Sequence, residues 1–148
     1  MNAVSTAAHA LPATPIARIP LLGALRGLLV SQAVLTLGLA IFLSLVAAGL
    51  RDALGGDAGR AAETSVRFAA GAAFLFAVFA AIAARGARRR RRWSWTMAAV
   101  LQLVLAIGTS VAVMLVEWHP IYLFGFALAG ITMVVLSTGV VRRALHQV

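Results

Sequence analysis

Four long apolar stretches, separated by short clusters of arginines and acids, organise this chain. The first runs from Gly27 to Leu50, 24 residues without a charge. At a rise of about 1.5 Å per residue it makes about 36 Å of helix, enough to cross a hydrocarbon core of about 30 Å with some tilt. The second, Phe68 to Ala84, has 17 residues and is rich in alanine. It reaches only about 26 Å, so the long side chains of Arg67 and Arg85 are expected to snorkel outward from its two ends. The third stretch covers Trp93 to Val116 and the fourth Trp118 to Val141, with only Glu117 to Pro120 at their junction. A link this short forces spans three and four into an antiparallel hairpin, and a proline in the first turn of a helix loses no hydrogen bond. The pattern predicts an all-α fold, a transmembrane four-helix bundle over residues 26–143. A disordered tail over residues 1–25, with Pro12, Pro15 and Pro20, precedes it, and a short tail over residues 144–148 follows. Val46-Ala47-Ala48 resembles a signal-peptide cleavage site, but the apolar run before it is too long for one.

Charge orients these spans. Of the 13 arginines, ten fall in the first tail, the loop between spans two and three, and the C-terminal end; only Arg51, Arg60 and Arg67 fall on the other side. The positive-inside rule then places both termini and the central loop in the cytoplasm. Trp93 and Trp95 fall at the inner interface, with Trp118 and Tyr122 at the outer one, as aromatic belts do. Composition agrees with lipid as solvent: 62% of residues are hydrophobic and 11% charged, against roughly 25% charged in soluble domains. A net charge of +9 raises the question of nucleic acid. The charge lies at the ends of apolar runs, with no aromatic-interleaved or helix-in-groove module beside it, so no nucleic-acid partner is expected. The absence of cysteine removes disulfides, thiolate metal sites and thiol redox chemistry.

Within the spans, small and polar residues recur every four positions. Gln32, Thr36, Ala40 and Ser44 share a face of span one, and Gln102, Ala106 and Ser110 repeat the pattern in span three. Ala73 and Ala77 in span two and Gly125 and Ala129 in span four complete the set. In lipid, small residues that allow close backbone approach define packing faces, and buried glutamines hydrogen-bond across a bundle for about 0.6–2 kcal/mol each. The alternative is a polar path for a small solute, lined by Gln32 and Gln102. The halves also align: Gln32 to Gly38 matches Gln102 to Gly108 without a gap, and Leu75-Phe76 echoes Leu123-Phe124, a candidate parallel repeat of a two-helix unit.

The run Arg88, Arg89, Arg90, Arg91 and Arg92, with Arg85 before it and Trp93 and Trp95 after it, reads as a topology determinant in contact with anionic lipid headgroups. Glu117, Trp118, His119 and Tyr122 form an interfacial cap with an aromatic anchor at the outer surface. A proton-sensitive lip or an outer-surface enzyme built on Glu117 and His119 is the minor alternative. A metal site there would lack ligands, because His9 and His146 lie toward the other side. Apart from His119 at the outer edge of span four, no Asp, Glu, Lys, Arg or His falls inside a span, which argues against ion-coupled carriers, paired-histidine haem binding and intramembrane hydrolysis. No cofactor and no enzymatic activity are expected. Arg26-Gly27 opening span one, the basic loop into Trp93-x-Trp95, Leu101-Gln102, Gly108, the short link and Arg142-Arg143 together resemble the small, uncharacterised four-span membrane proteins common in GC-rich bacterial genomes. The resemblance implies a multi-pass protein of the bacterial inner membrane and transfers no site residues. The expected role is an accessory or scaffold subunit, as a homo-oligomer or in a larger membrane complex; the runner-up is a passive channel or facilitator.

Overall fold

A computed structural model describes residues 20–115 and 121–145, all helical apart from short turns. The helices are α1 (Pro20–Leu54), α2 (Gly56–Arg88), α3 (Arg92–Leu115), α4 (Ile121–Ser137) and α5 (Gly139–Ala144). They form an all-α four-helix bundle, up-down-up-down, with α5 as a short terminal turn. α1, α2 and α3 are long and apolar enough to cross a membrane, whereas α4 is a shorter apolar helix. These are the helices of a membrane protein.

The α1–α2 hairpin departs from the sequence expectation. The charged stretch 51–67, read as a loop between spans, is helical except at Gly55. Gly55 and Gly56 both take positive φ, 62° and 53°, which reverses the chain within a single turn. Gly55 N–H donates to the Arg51 carbonyl and Gly59 N–H to the Gly55 carbonyl. A Cβ at Gly59 would lie 3.0 Å from the Arg51 carbonyl oxygen, so glycine there lets the two helices meet at their tips. Asp57–Arg60 and Glu63–Arg67 ion pairs along α2 bring opposite charges together on the exposed helix. Counted from Gln32 and Gln102, which meet, α1 runs about 13 Å further than α3 at about 1.5 Å per residue. The α1–α2 hairpin therefore projects beyond the described end of α3, and this tip carries Asp52, Asp57 and Glu63.

Two further boundaries differ. Residues 20–25, assigned to the tail, are the first turns of α1, and Leu25 is buried in the core. Apolar Leu21, Leu22 and Leu25 give this segment a face to bury, and Pro20, counted as a sign of disorder, is well placed in the first turn of a helix. Residues 144 and 145 also belong to the fold, with Leu145 fully buried. The fourth span does not continue to Val141: α4 stops at Ser137 and Thr138 is extended, φ −63° and ψ 134°. The hydroxyls of Ser137 and Thr138 donate to the carbonyls of Val134 and Val135 at 2.8 and 2.7 Å, and such local bonding competes with helix continuation.

The core lies toward one pole. Leu25, Leu29, Ala83, Ala98, Leu101 and Leu136 pack there, closed off by Val141 and Leu145 at the end of the chain. This is the pole of Arg85 and Arg88–Arg92, and both described chain ends, Pro20 and Leu145, sit at it. Away from it the packing thins: no residue of α3 from Leu103 to Met114 is buried.

Candidate functional site: a buried amide pair and an arginine-rimmed groove

Gln32 on α1 and Gln102 on α3 are each 1% exposed and form a reciprocal amide pair. Gln32 Nε2 donates to Gln102 Oε1 at 3.0 Å, and Gln102 Nε2 donates back to Gln32 Oε1 at 3.0 Å. Gln32 Nε2 also donates to Thr132 Oγ1 on α4 at 3.3 Å, while the Thr132 hydroxyl donates to the Leu128 carbonyl at 2.8 Å. Three helices thus meet at one polar node, and among the described residues no buried side-chain polar atom lacks a partner. Such a node binds helices together in lipid, where an unsatisfied amide has no water to turn to. Sequence reasoning missed Thr132. Its signal was available: it is the one hydroxyl in the apolar run from Leu123 to Leu136.

The rest of the small and polar stripe behaves differently. Thr36, Ser44 and Ser110 each donate to a carbonyl four residues back in their own helix, so their donors need no solute and no partner helix. Ala77 and Ala129 are buried and Ala73 is half-buried. Gly125 lies against Thr109, where an added Cβ would be 3.0 Å from Oγ1, so glycine sets the close approach of α4 to α3. Neither glutamine lines the groove between α1 and α2 or the small pocket beside Trp93. The residues that the half-repeat aligns are only partly alike in setting: Gln32 and Gln102 are partners, but Phe76 packs against the core while Phe124 is 59% exposed.

The arginine pole is built on a tight corner. Arg90 takes φ 51°, and Arg90 N–H and Arg91 N–H donate to the carbonyls of Ala87 and Gly86, a Schellman end to α2 with arginine where glycine is usual. The Ser94 hydroxyl donates to the Arg91 carbonyl at 2.6 Å. Gly86 has no room for a side chain: a Cβ would stand 2.8 Å from Ser94 Cβ and 2.8 Å from the Trp93 ring. Trp93 is exposed, as an interfacial residue would be, but Trp95 is half-buried and turned into the bundle. Its Nε1 donates to the Leu136 carbonyl at 3.0 Å, satisfying a last-turn carbonyl of α4. Trp95 therefore ties α3 to α4. Arg85, Arg88, Arg89, Arg90, Arg91 and Arg92 are all exposed.

An open groove of about 680 Å³ runs between α1 and α2 from this pole. Arg26, Arg85 and Arg88 stand at one end, and Val30, Leu37 and Val78 are among its apolar walls. Of the outer cluster, Glu117, Trp118 and His119 lie outside the described residues; Tyr122 is half-buried at the start of α4. No group of three or more potential metal ligands occurs among the described residues. No protein-family model matches this chain, and neither a curated protein nor a solved structure matches it.

Proposed function

We propose that this is a four-span integral membrane protein without enzymatic activity, an accessory or scaffold subunit that works through helix–helix association. Its place is the bacterial inner membrane, as a homo-oligomer or part of a larger complex, with the arginine pole cytoplasmic. The observation that carries the reading is the unequal packing along the bundle. The core near the arginine pole buries Leu25, Leu29, Leu101 and Leu136, yet α3 buries nothing from Leu103 to Met114. Small residues occur on those uncovered faces, Gly38 on α1 and Gly108 on α3, both with open space around them. In lipid, close approach at small residues drives association more than apolarity does. The excess of ten arginines over three supports the orientation.

Native mass spectrometry of the full chain released from a mild detergent tests this. A discrete oligomer, or a protein partner held in fixed stoichiometry, is the expected result. A strictly monomeric species with nothing retained overturns it.

A further inference from the structure

We propose that the groove between α1 and α2 binds one anionic phospholipid, its phosphate held among Arg26, Arg85 and Arg88 and an acyl chain lying along Val30, Leu37 and Val78. The inference rests on the protein being in a membrane and is independent of whether it associates with other chains.

Charge calls for an anion. Arg85 and Arg88 are three apart and share a face of α2, and Arg26 faces them from α1 across the same groove. Three like charges at one end of a groove repel unless something negative joins them. Among the described residues no acid stands beside them: Asp57 and Glu63 pair with Arg60 and Arg67, and Asp52 lies near the far end of α1. The last turn of α2 offers Arg85 and Arg88 the negative end of a helix dipole, but Arg26 lies in the second turn of α1, where the dipole offers a cation nothing. Arg26 is thus the residue that helix electrostatics leaves unexplained.

Shape makes the anion a lipid. From Arg26 to Leu37 the groove follows α1 for eleven residues, about 16 Å at 1.5 Å per residue. Half of a hydrocarbon core of about 30 Å is about 15 Å, so the groove is one leaflet deep, charged at the headgroup end and apolar beyond it. Its volume of about 680 Å³ is that of a small-molecule site, roughly 300–1,000 Å³. A second copy of the chain fits worse. In the same orientation it would bring its own arginines to this pole, adding positive charge where negative charge is needed.

The test uses the full chain in phosphatidylcholine nanodiscs doped with phosphatidylglycerol, followed by native mass spectrometry of the released protein. The expected result is one retained phosphatidylglycerol per chain. Retention should fall at least tenfold in the Arg26→Gln/Arg85→Gln/Arg88→Gln variant and hold in a variant with glutamine at Arg18, Arg142 and Arg143, which removes the same charge. Val78→Trp, which keeps every arginine and fills the groove, should also reduce retention. Unchanged far-ultraviolet circular dichroism shows that each variant has kept its helices. Equal retention of the two lipids, equal loss in both arginine variants, no effect of Val78→Trp, or displacement of the lipid by millimolar inorganic phosphate would each overturn the proposal. Lipid adducts and protein oligomers differ in mass, so this outcome is read separately from association.

Discussion

Gln32 and Gln102 are the residues on which the bundle's connectivity turns. Each amide holds the other's donor and acceptor, and Thr132 adds a third helix. Removing one partner strands a buried amide, which costs about 1–3 kcal/mol, whereas replacing both by apolar groups of similar shape is close to neutral. Gln102→Leu is therefore expected to destabilise the bundle by about 1–3 kcal/mol, and Gln32→Leu/Gln102→Leu by less than the sum of the single changes. Unfolding in mixed micelles, read as a double-mutant cycle, measures this; strict additivity would show that the pair is not coupled. This pairing was legible in the sequence because both glutamines head a four-residue stripe in otherwise apolar runs. The hydroxyls of the stripe were harder to read, since a threonine or serine inside a membrane helix satisfies its own donor on the preceding turn, and spacing alone does not distinguish that from a partner across the bundle.

At the scale of elements, the four apolar runs predicted the four main helices, and the ends of those helices were much harder to read. Charges at 51–67 suggested a loop, yet charges on an exposed helix are compatible with water and pair at i,i+3 and i,i+4. Gly55-Gly56 was the real turn signal, placed where two glycines can take positive φ together. The break at Thr138 was hidden for the opposite reason: an unbroken apolar run concealed a Ser-Thr-Gly sequence whose hydroxyls bond locally. α2 ends with a residue of the wrong type for its conformation, because the left-handed region disfavours an L side chain by roughly 1–2 kcal/mol. Arg90→Gly keeps the Schellman hydrogen bonds and removes that strain. It is expected to stabilise the corner by about 1 kcal/mol, seen as a higher midpoint in denaturant; a lower midpoint would show that the Arg90 side chain holds the corner in place.

For the whole molecule, the asymmetry between poles is the governing feature. One pole has the packed core, most of the arginines and both described chain ends; the other has a projecting hairpin with acids and ion pairs. The sequence displayed this asymmetry as charge, whereas the asymmetry in packing depends on which helices touch and at what level, which no linear pattern carries. Both proposals need the arginine pole on one defined side of the membrane with every apolar helix crossing it, including α4 with only 17 residues. Because the chain has no cysteine, single cysteines report sidedness without background. Gly86 is unsuitable, since it has no space for a side chain, but Arg89 and Ala58 are exposed at opposite poles. The deciding measurement is labelling of intact cells with a membrane-impermeant maleimide, using Ala58→Cys, Arg89→Cys and a cysteine appended after Val148. The account predicts labelling of Ala58→Cys from outside, and of Arg89→Cys and the appended cysteine only after permeabilisation. Labelling of Arg89→Cys from outside would invert the orientation, and labelling of the appended cysteine alone with Ala58→Cys would mean that α3 and α4 do not both span.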